Sequence, residues 1–233
     1  MNTSTNQPLK PRPAIPPLES GDRLTRSEFE RRYEGNSHIK KAELIEGVVY
    51  VASPLRFERH ANPHARLITW LGVYEAATPG ARLGDTPTVR LDLDNEPQPD
   101  AVLLLLDTVG GQARLSADDY VEGAPELIAE IAASSATYDL GDKKTAYRRN
   151  QVREYLVWQI FENKLDWCIL QDSEYGLLQP DADGVIRSRV FPGLWLAVGA
   201  LLKGDMMKVL AVLQLGLQSR ELAEFVKRLG QGE

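Results

Sequence analysis

The sequence predicts an α/β fold with a mixed central sheet flanked by helices. Two continuous apolar runs, residues 101–106 and 127–133, have strand length and read as strands covered on both faces. Residues 155–161 and 165–170 are rich in β-branched and aromatic side chains and are joined by the polar turn Glu162-Asn163-Lys164, a hairpin signature. Upstream, Leu67, Trp70, Leu71 and Tyr74 recur at i, i+3, i+4 and i+7, the period of an amphipathic helix. Doubly covered strands suit parallel neighbours and a hairpin demands antiparallel ones, so the sheet is expected to be mixed.

The first residues carry Pro8, Pro11, Pro13, Pro16 and Pro17 among polar groups, and we expect a flexible arm over residues 1–22. A single domain over residues 23–198 follows, with a C-terminal helical extension, residues 199–233, packed on it. In chain order, Thr25-Arg26-Ser27-Glu28 has the form of a capping box opening a short helix. Residues 44–51 read as a hairpin bent at Gly47, expected at the first edge of the sheet. The amphipathic helix spans residues 63–77 and stops at Thr78-Pro79-Gly80. Strands are expected at 88–93, 99–106 and 126–133, then a helix capped by Asp139 and running to about Asn150. After the 155–170 hairpin, Gly184 marks a turn and residues 191–195 an irregular apolar plug. Asp205 and Ser219 cap two final helices.

At 233 residues, 43% hydrophobic and 26% charged, the chain can bury one substantial core, and neither disorder nor a fibrous repeat is indicated. Cys168 is the only cysteine and sits in an apolar run, which suits a reducing compartment. The N-terminus lacks the plan of a signal peptide, and no apolar run approaches the ~20 residues that span a bilayer. A cytoplasmic protein without a membrane partner is expected. A net charge of −6 argues against coating nucleic acid through bulk charge. Two local basic stretches stand out, Lys143, Lys144, Arg148, Arg149 and Arg153, and Arg56, Arg59, His60, His64 and Arg66. Any one of these residues can equally be a solvated helix face.

Two carboxylates are informative by position. Asp100 opens the apolar run 101–106 after Pro99, at a strand end where a carboxylate can be half exposed, although Pro-Asp is also a common turn dipeptide. Glu130 lies in the middle of Leu127-Ile128-Ala129-Glu130-Ile131-Ala132-Ala133, where an isolated charge is costly unless paired, hydrogen-bonded or bound to metal. Neutralisation by Arg90 or Lys143 without chemistry is as consistent with the strand as a catalytic role. His60 and His64 at i, i+4 suggest a transition-metal pair, but no third soft ligand follows at a useful spacing. Trp70, Trp158, Trp167 and Trp195 have apolar neighbours and read as core.

The ordered stretches Glu43-Leu44-Ile45-Glu46-Gly47, Ser53-Pro54, His64 before a helix, Gln98-Pro99-Asp100, Pro125 to Ile131, Ser134-Ser135, and Asp139-Leu140-Gly141-Asp142-Lys143 with Tyr147 resemble the PD-(D/E)XK nuclease superfamily, and more closely its Uma-two family of restriction-endonuclease-like proteins. The resemblance runs from about Glu43 to Trp158. It implies a restriction-endonuclease-like core, a Mg²⁺ or Mn²⁺ ion held by Asp100 and Glu130, and a lysine that orients or activates the attacking water. Ala132 stands where the superfamily's strand lysine belongs, and Lys143 occupies the position of the Uma-two lysine. Tyr147, one turn beyond Lys143, and Glu43, Glu46 and His64 are accessory candidates.

The expected function is therefore metal-dependent hydrolysis of DNA phosphodiester bonds. A binding or assembly protein of the same fold with weak or no catalysis is the alternative, and hydrolysis of another phosphoester is a third reading. A homodimer is expected from the apolar surface of Met206, Met207, Leu210, Leu213 and Leu217.

Overall fold

The computed structural model describes residues 15–133 and 135–231. From its first described residues the chain is packed. Leu18 is buried with Phe29, Ala42, Leu44 and Val49, Ser20 Oγ accepts from the Val51 amide at 2.9 Å, and the Gly21 amide donates to the Val49 carbonyl. The arm expected over residues 1–22 is thus corrected for its last stretch, because Leu18 finds an apolar niche; Pro8, Pro11 and Pro13 lie outside the described residues.

Helix α1 (Arg26–Gly35) starts at the expected place, but Thr25 makes no side-chain cap, and Glu28 instead accepts from Arg31 and Arg32 at 2.7 Å. Strands β1 (Ala42–Ile45) and β2 (Val48–Val51) form the expected hairpin, with Glu46 and Gly47 at φ 51° and 72°, as a two-residue primed turn requires. A π-helical turn (Phe57–Ala61) leads into α2 (Asn62–Ala76). Then come β3 (Ala81–Asp85), β4 (Val89–Arg90), β5 (Ala101–Leu105), β6 (Arg114–Leu115), β7 (Val121–Glu122) and β8 (Leu127–Ala132). Helix α3 (Ala136–Tyr138), a second π-helical turn (Asp139–Lys143) and α4 (Lys144–Arg149) run on as one helical crossover to β9 (Glu154–Gln159). Strands β10 (Lys164–Gln171), β11 (Glu174–Leu177), β12 (Val185–Arg187) and β13 (Trp195–Ala197) precede α5 (Val198–Leu202), α6 (Met206–Leu217) and α7 (Arg220–Leu229).

The central sheet has six strands in the order β11-β10-β9-β8-β5-β3. Only β8 and β9 run parallel; the other pairs are antiparallel, so the sheet is mixed as expected. Three expectations are corrected. The β1–β2 hairpin is not an edge of this sheet but a sheet of its own, tied to the loop before β5 by paired backbone bonds between Leu44 and Glu96. The strand expected at 88–93 shrinks to β4, in a small β4-β7-β6 sheet, and the edge place goes to β3. Asp139 does not cap a helix, since the helical run begins at Ala136 and Asp139 lies inside it with φ −65° and ψ −36°.

Side-chain alternation along the strands divides the core. One face joins Leu103, Ala129, Ile131, Leu156 and Trp167 to α2 and the C-terminal helices. There the Trp70 indole donates to the Trp195 carbonyl and the Tyr74 hydroxyl to the Pro192 carbonyl, both at 3.0 Å, which seats the 191–195 plug. The opposite face carries Val102, Leu104, Ile128, Ala132, Tyr155 and buried Cys168, with Tyr147 of the crossover helix packed onto them. Asp205 and Ser219 cap α6 and α7 by accepting from the Lys208 and Leu222 amides. Of the residues that suggested a homodimer, Leu213 is buried and Met206, Leu210 and Leu217 are partly buried against the core, so most of that apolar surface is used internally; Met207 stays exposed, as does Leu215. Among the described residues no helix is long and apolar enough to cross a membrane.

Candidate active site

The β5–β8 register brings the two carboxylates together. Ala101 faces Ala129 and Val102 faces Ile128, so Asp100, one residue ahead of β5, lies across from Glu130. By the two-residue period both side chains project to the face of Val102 and Ile128. The Asp100 amide reaches Glu130 Oε2 at 3.4 Å, and Asp100 Oδ2 accepts from the Ile131 amide at 2.7 Å.

The parallel β8–β9 pair requires a crossover, and the crossover helix lies over this same face. It delivers Lys143 and Tyr147. Lys143 Nζ is 2.9 Å from Glu130 Oε1, 2.8 Å from Glu43 Oε1 and 3.8 Å from Asp139 Oδ1, and the Tyr147 hydroxyl donates to Glu130 Oε1 at 2.9 Å. Glu43 arrives from the hairpin through the Leu44–Glu96 bridge and also accepts from the Gln98 amide at 2.8 Å. His60, on the first π-helical turn, donates from Nε2 to Asp100 Oδ1 at 3.1 Å; Lys41 Nζ is 3.6 Å from the same oxygen. Both π-helical turns among the described residues thus carry site residues, a frequent setting for such local widening.

Asp100, Glu130 and Lys143 are each 3% exposed and line the floor of a cleft of about 800 Å³. Burial raises the Asp100 carboxyl, but His60, Lys41 and the Ile131 amide outweigh it and hold the group down at about 2. Glu130 is pushed up to about 8, by burial first, with Asp100, Asp139 and Glu43 adding to the effect against Lys143. Burial would also strip Lys143 of its proton, yet Glu130, Glu43 and Asp139 hold its ammonium well above the ordinary range. Four carboxyl groups thus crowd around two ammonium groups, and the raised proton affinity of Glu130 and Asp139 marks negative charge that a hard cation would relieve.

Two other buried carboxylates provide a contrast. Glu126 accepts from the Leu105 and Gln112 amides, and Glu154 accepts from the Arg189 and Val190 amides, Ser188 and the Trp167 indole. These acceptors tie loops to the sheet. Glu130 instead draws its closest bonds from the ionisable side chains of Lys143 and Tyr147, at the floor of a cleft.

The family described as "Uma2: Putative restriction endonuclease" matches residues 26–199. The chain belongs to this Uma2 family. Among solved structures it is similar to one titled "a putative nuclease belonging to DUF820" from Anabaena variabilis, at 13% identity and a TM-score of 0.53, over 70% of this chain and 89% of that one. At that identity the likeness concerns the fold. Among curated proteins none matches.

Of the candidates named from sequence, this Uma2 chain brings Asp100, Glu130, Lys143, Tyr147 and Glu43 into one cluster. His64 stands one step back, its Nε2 2.9 Å from the Asp100 carbonyl and 3.2 Å from Asp85 Oδ1. Glu46 is not in the cluster: it sits in the hairpin turn and pairs with Arg149 at 2.8 Å. Lys143 is no solvated lysine, and Arg90 is turned to Glu30 and Asp118, away from Glu130. His60 and His64 both contact Asp100, the first at its carboxylate and the second at its carbonyl. Ser134 lies outside the described residues. Lys41 and Asp139 are additional members of the cluster; Lys41 lies two residues before Glu43, so strand alternation puts it on the same side, the one signal that could have found it.

The donor set fits a hard divalent cation. Asp100 and Glu130 lie side by side across the β5–β8 ladder, and Mg²⁺ typically takes one or two carboxylates and keeps waters or phosphate oxygens elsewhere. Among the described residues no three His, Cys, Asp or Glu side chains are already arranged around one metal position, so water or substrate oxygens would complete the shell.

Proposed function

We propose that this Uma2 protein is a Mg²⁺- or Mn²⁺-dependent endonuclease that hydrolyses DNA phosphodiester bonds. The observation that carries the reading is Asp100 across the β5–β8 ladder from Glu130, with the Lys143 ammonium 2.9 Å from Glu130. Asp100 and Glu130 would hold the cation, which when bound polarises a phosphate oxygen and acidifies water. Lys143 orients the attacking water and faces the charge that develops on phosphate. Tyr147 and Glu43 fix Glu130 and Lys143, while His60, His64 and Lys41 fix Asp100. A reducing, cytoplasmic setting belongs to the same reading, supported by the lone, buried Cys168.

Supercoiled plasmid incubated with the purified protein should be nicked with Mg²⁺ or Mn²⁺ and left intact with EDTA. A binding protein of the same fold is the second reading. It is favoured by the donors that already occupy Glu130 Oε1 and both Asp100 oxygens. Plasmid that is bound but uncut with either cation would select it. The proposed homodimer now rests on exposed Met207 and Leu215, and light scattering that gives 26.0 kDa particles at micromolar concentration would reject it.

A further inference from the structure

At the mouth of the cleft large apolar side chains stand in water. Leu55 is 61% exposed and Phe161 56% exposed, and both line the cleft. They come from separate segments, the loop after β2 and the turn between β9 and β10, so the mouth is apolar on two sides. Arg56 and Arg59 line the same mouth, and the Arg59 guanidinium lies over the Phe161 ring, 5.1 Å from its centroid. Neither arginine is within ion-pair distance of a described carboxylate, whereas Arg148 and Arg149 of the other basic stretch are paired with Glu174, Glu46 and Asp92. Unpaired cations and exposed flat apolar surface therefore meet at one place, above the carboxylates.

The recess explains why such a rim would be useful. Its carboxylates are almost closed off from solvent, and a volume of about 800 Å³ is that of a site enclosing one small ligand. A phosphate must descend into it. In an intact duplex each phosphate is tied to a stacked and paired base, whereas a strand with free bases can bend into a recess and rest its bases on aromatic and apolar side chains.

We infer that the cleft takes an unstacked strand, single-stranded or locally opened DNA, with a base beside the scissile phosphate resting on Phe161 and Leu55 and the flanking phosphates held by Arg56 and Arg59. The inference rests on the nuclease reading and names the form of its substrate. Cation and aromatic faces are the two recurring parts of single-strand binding sites, and the Arg59–Phe161 stack holds them in contact.

The test is fluorescence anisotropy in EDTA, where no cleavage intervenes, with labelled oligothymidylate, the matching oligouridylate and a blunt duplex. Oligothymidylate should bind at least about tenfold tighter than duplex, and Phe161→Ala should weaken it by about tenfold while Phe161→Tyr retains it. Phe161 is exposed, so an unchanged thermal midpoint will show that the variant is folded. Tighter binding of duplex would overturn the inference, as would single-strand affinity unaffected by both Phe161→Ala and Arg59→Ala. Oligouridylate bound more tightly than oligothymidylate would overturn the assignment to DNA. Metal-dependent plasmid nicking by a protein that prefers duplex would remove this inference alone; no binding to any of the three, with no nicking, would remove the nuclease reading with it.

Discussion

Asp100→Asn and Glu130→Gln should each lower metal-dependent cleavage by at least about 10²–10³-fold, with metal binding lost in parallel. Each change keeps the side chain's shape and removes a carboxyl group that can ionise to hold the cation at the proposed position. The fold should survive. In Asp100→Asn the amide oxygen can still accept from the Ile131 amide. In Glu130→Gln it can still accept from Lys143 and Tyr147, while Glu43 and Asp139 continue to neutralise the ammonium. Titration calorimetry with Mg²⁺ or Mn²⁺, alongside the nicking assay and a thermal melt, separates loss of the cation from loss of structure. Wild-type metal affinity in Glu130→Gln would move the metal elsewhere and end the assignment.

Glu130 was legible as a special position because a carboxylate within an apolar strand is expensive, and that cost shows in the sequence before any partner is known, whereas its pairing with Asp100 came from the family resemblance. Strand periodicity then does most of the placing. Asp100 lies two residues before Val102, and Glu130 two after Ile128, so once those strands pair at Val102 and Ile128 both carboxylates share a face. The same parity argues against Glu46. It is three residues from Glu43, an odd spacing within a hairpin, and it falls in the turn at positive φ, where its side chain meets Arg149. Accessory status for both was therefore too generous to Glu46.

Of the supporting shell, Tyr147, Glu43 and His64 were named through the family resemblance, whereas Lys41 and His60 were not, because they are brought in by long-range contacts. Lys41 reaches the site only because Leu44 pairs with Glu96, and His60 only because a π-helical turn precedes α2. The edge strand β3, Ala81-Arg82-Leu83-Gly84-Asp85, offers one large apolar residue and a glycine, too little alternation to be read as a strand. Glu126 and Glu154 are buried as firmly as Glu130, yet they accept from backbone amides, Glu154 also from Ser188 and Trp167, and they do not line the cleft. Burial of a carboxylate therefore identifies a special position, and the identity of its donors decides what the position is for.

Lys143→Ala should act on stability as well as on rate. In the folded protein this ammonium neutralises Glu130, Glu43 and Asp139 at 3% exposure, and removing one partner of such a buried cluster typically costs about 3–5 kcal/mol. The cost should depend on pH in a definite direction. Glu130, pushed up to about 8, and Asp139, also raised, are groups whose folded-state proton affinity exceeds that of the unfolded chain. Their protonated forms stabilise the fold fully below the ordinary carboxylate range, and that contribution is lost as pH rises through the folded value. Without Lys143 the loss deepens, so urea midpoints of the variant and the wild type should lie close together near pH 5 and far apart near pH 8. Mg²⁺ or Mn²⁺ should recover part of the deficit at pH 8, because a cation that binds only the folded carboxylates stabilises by mass action. Cleavage by the cation-loaded variant should still fall by about 10²–10³-fold, since the metal replaces the missing charge but not the group that faces the water and the phosphate. Equal midpoints at pH 8 would show that Lys143 does not neutralise the cluster, and cleavage at the wild-type rate would pass its proposed role to Lys41, the other ammonium at the site, 3.6 Å from Asp100.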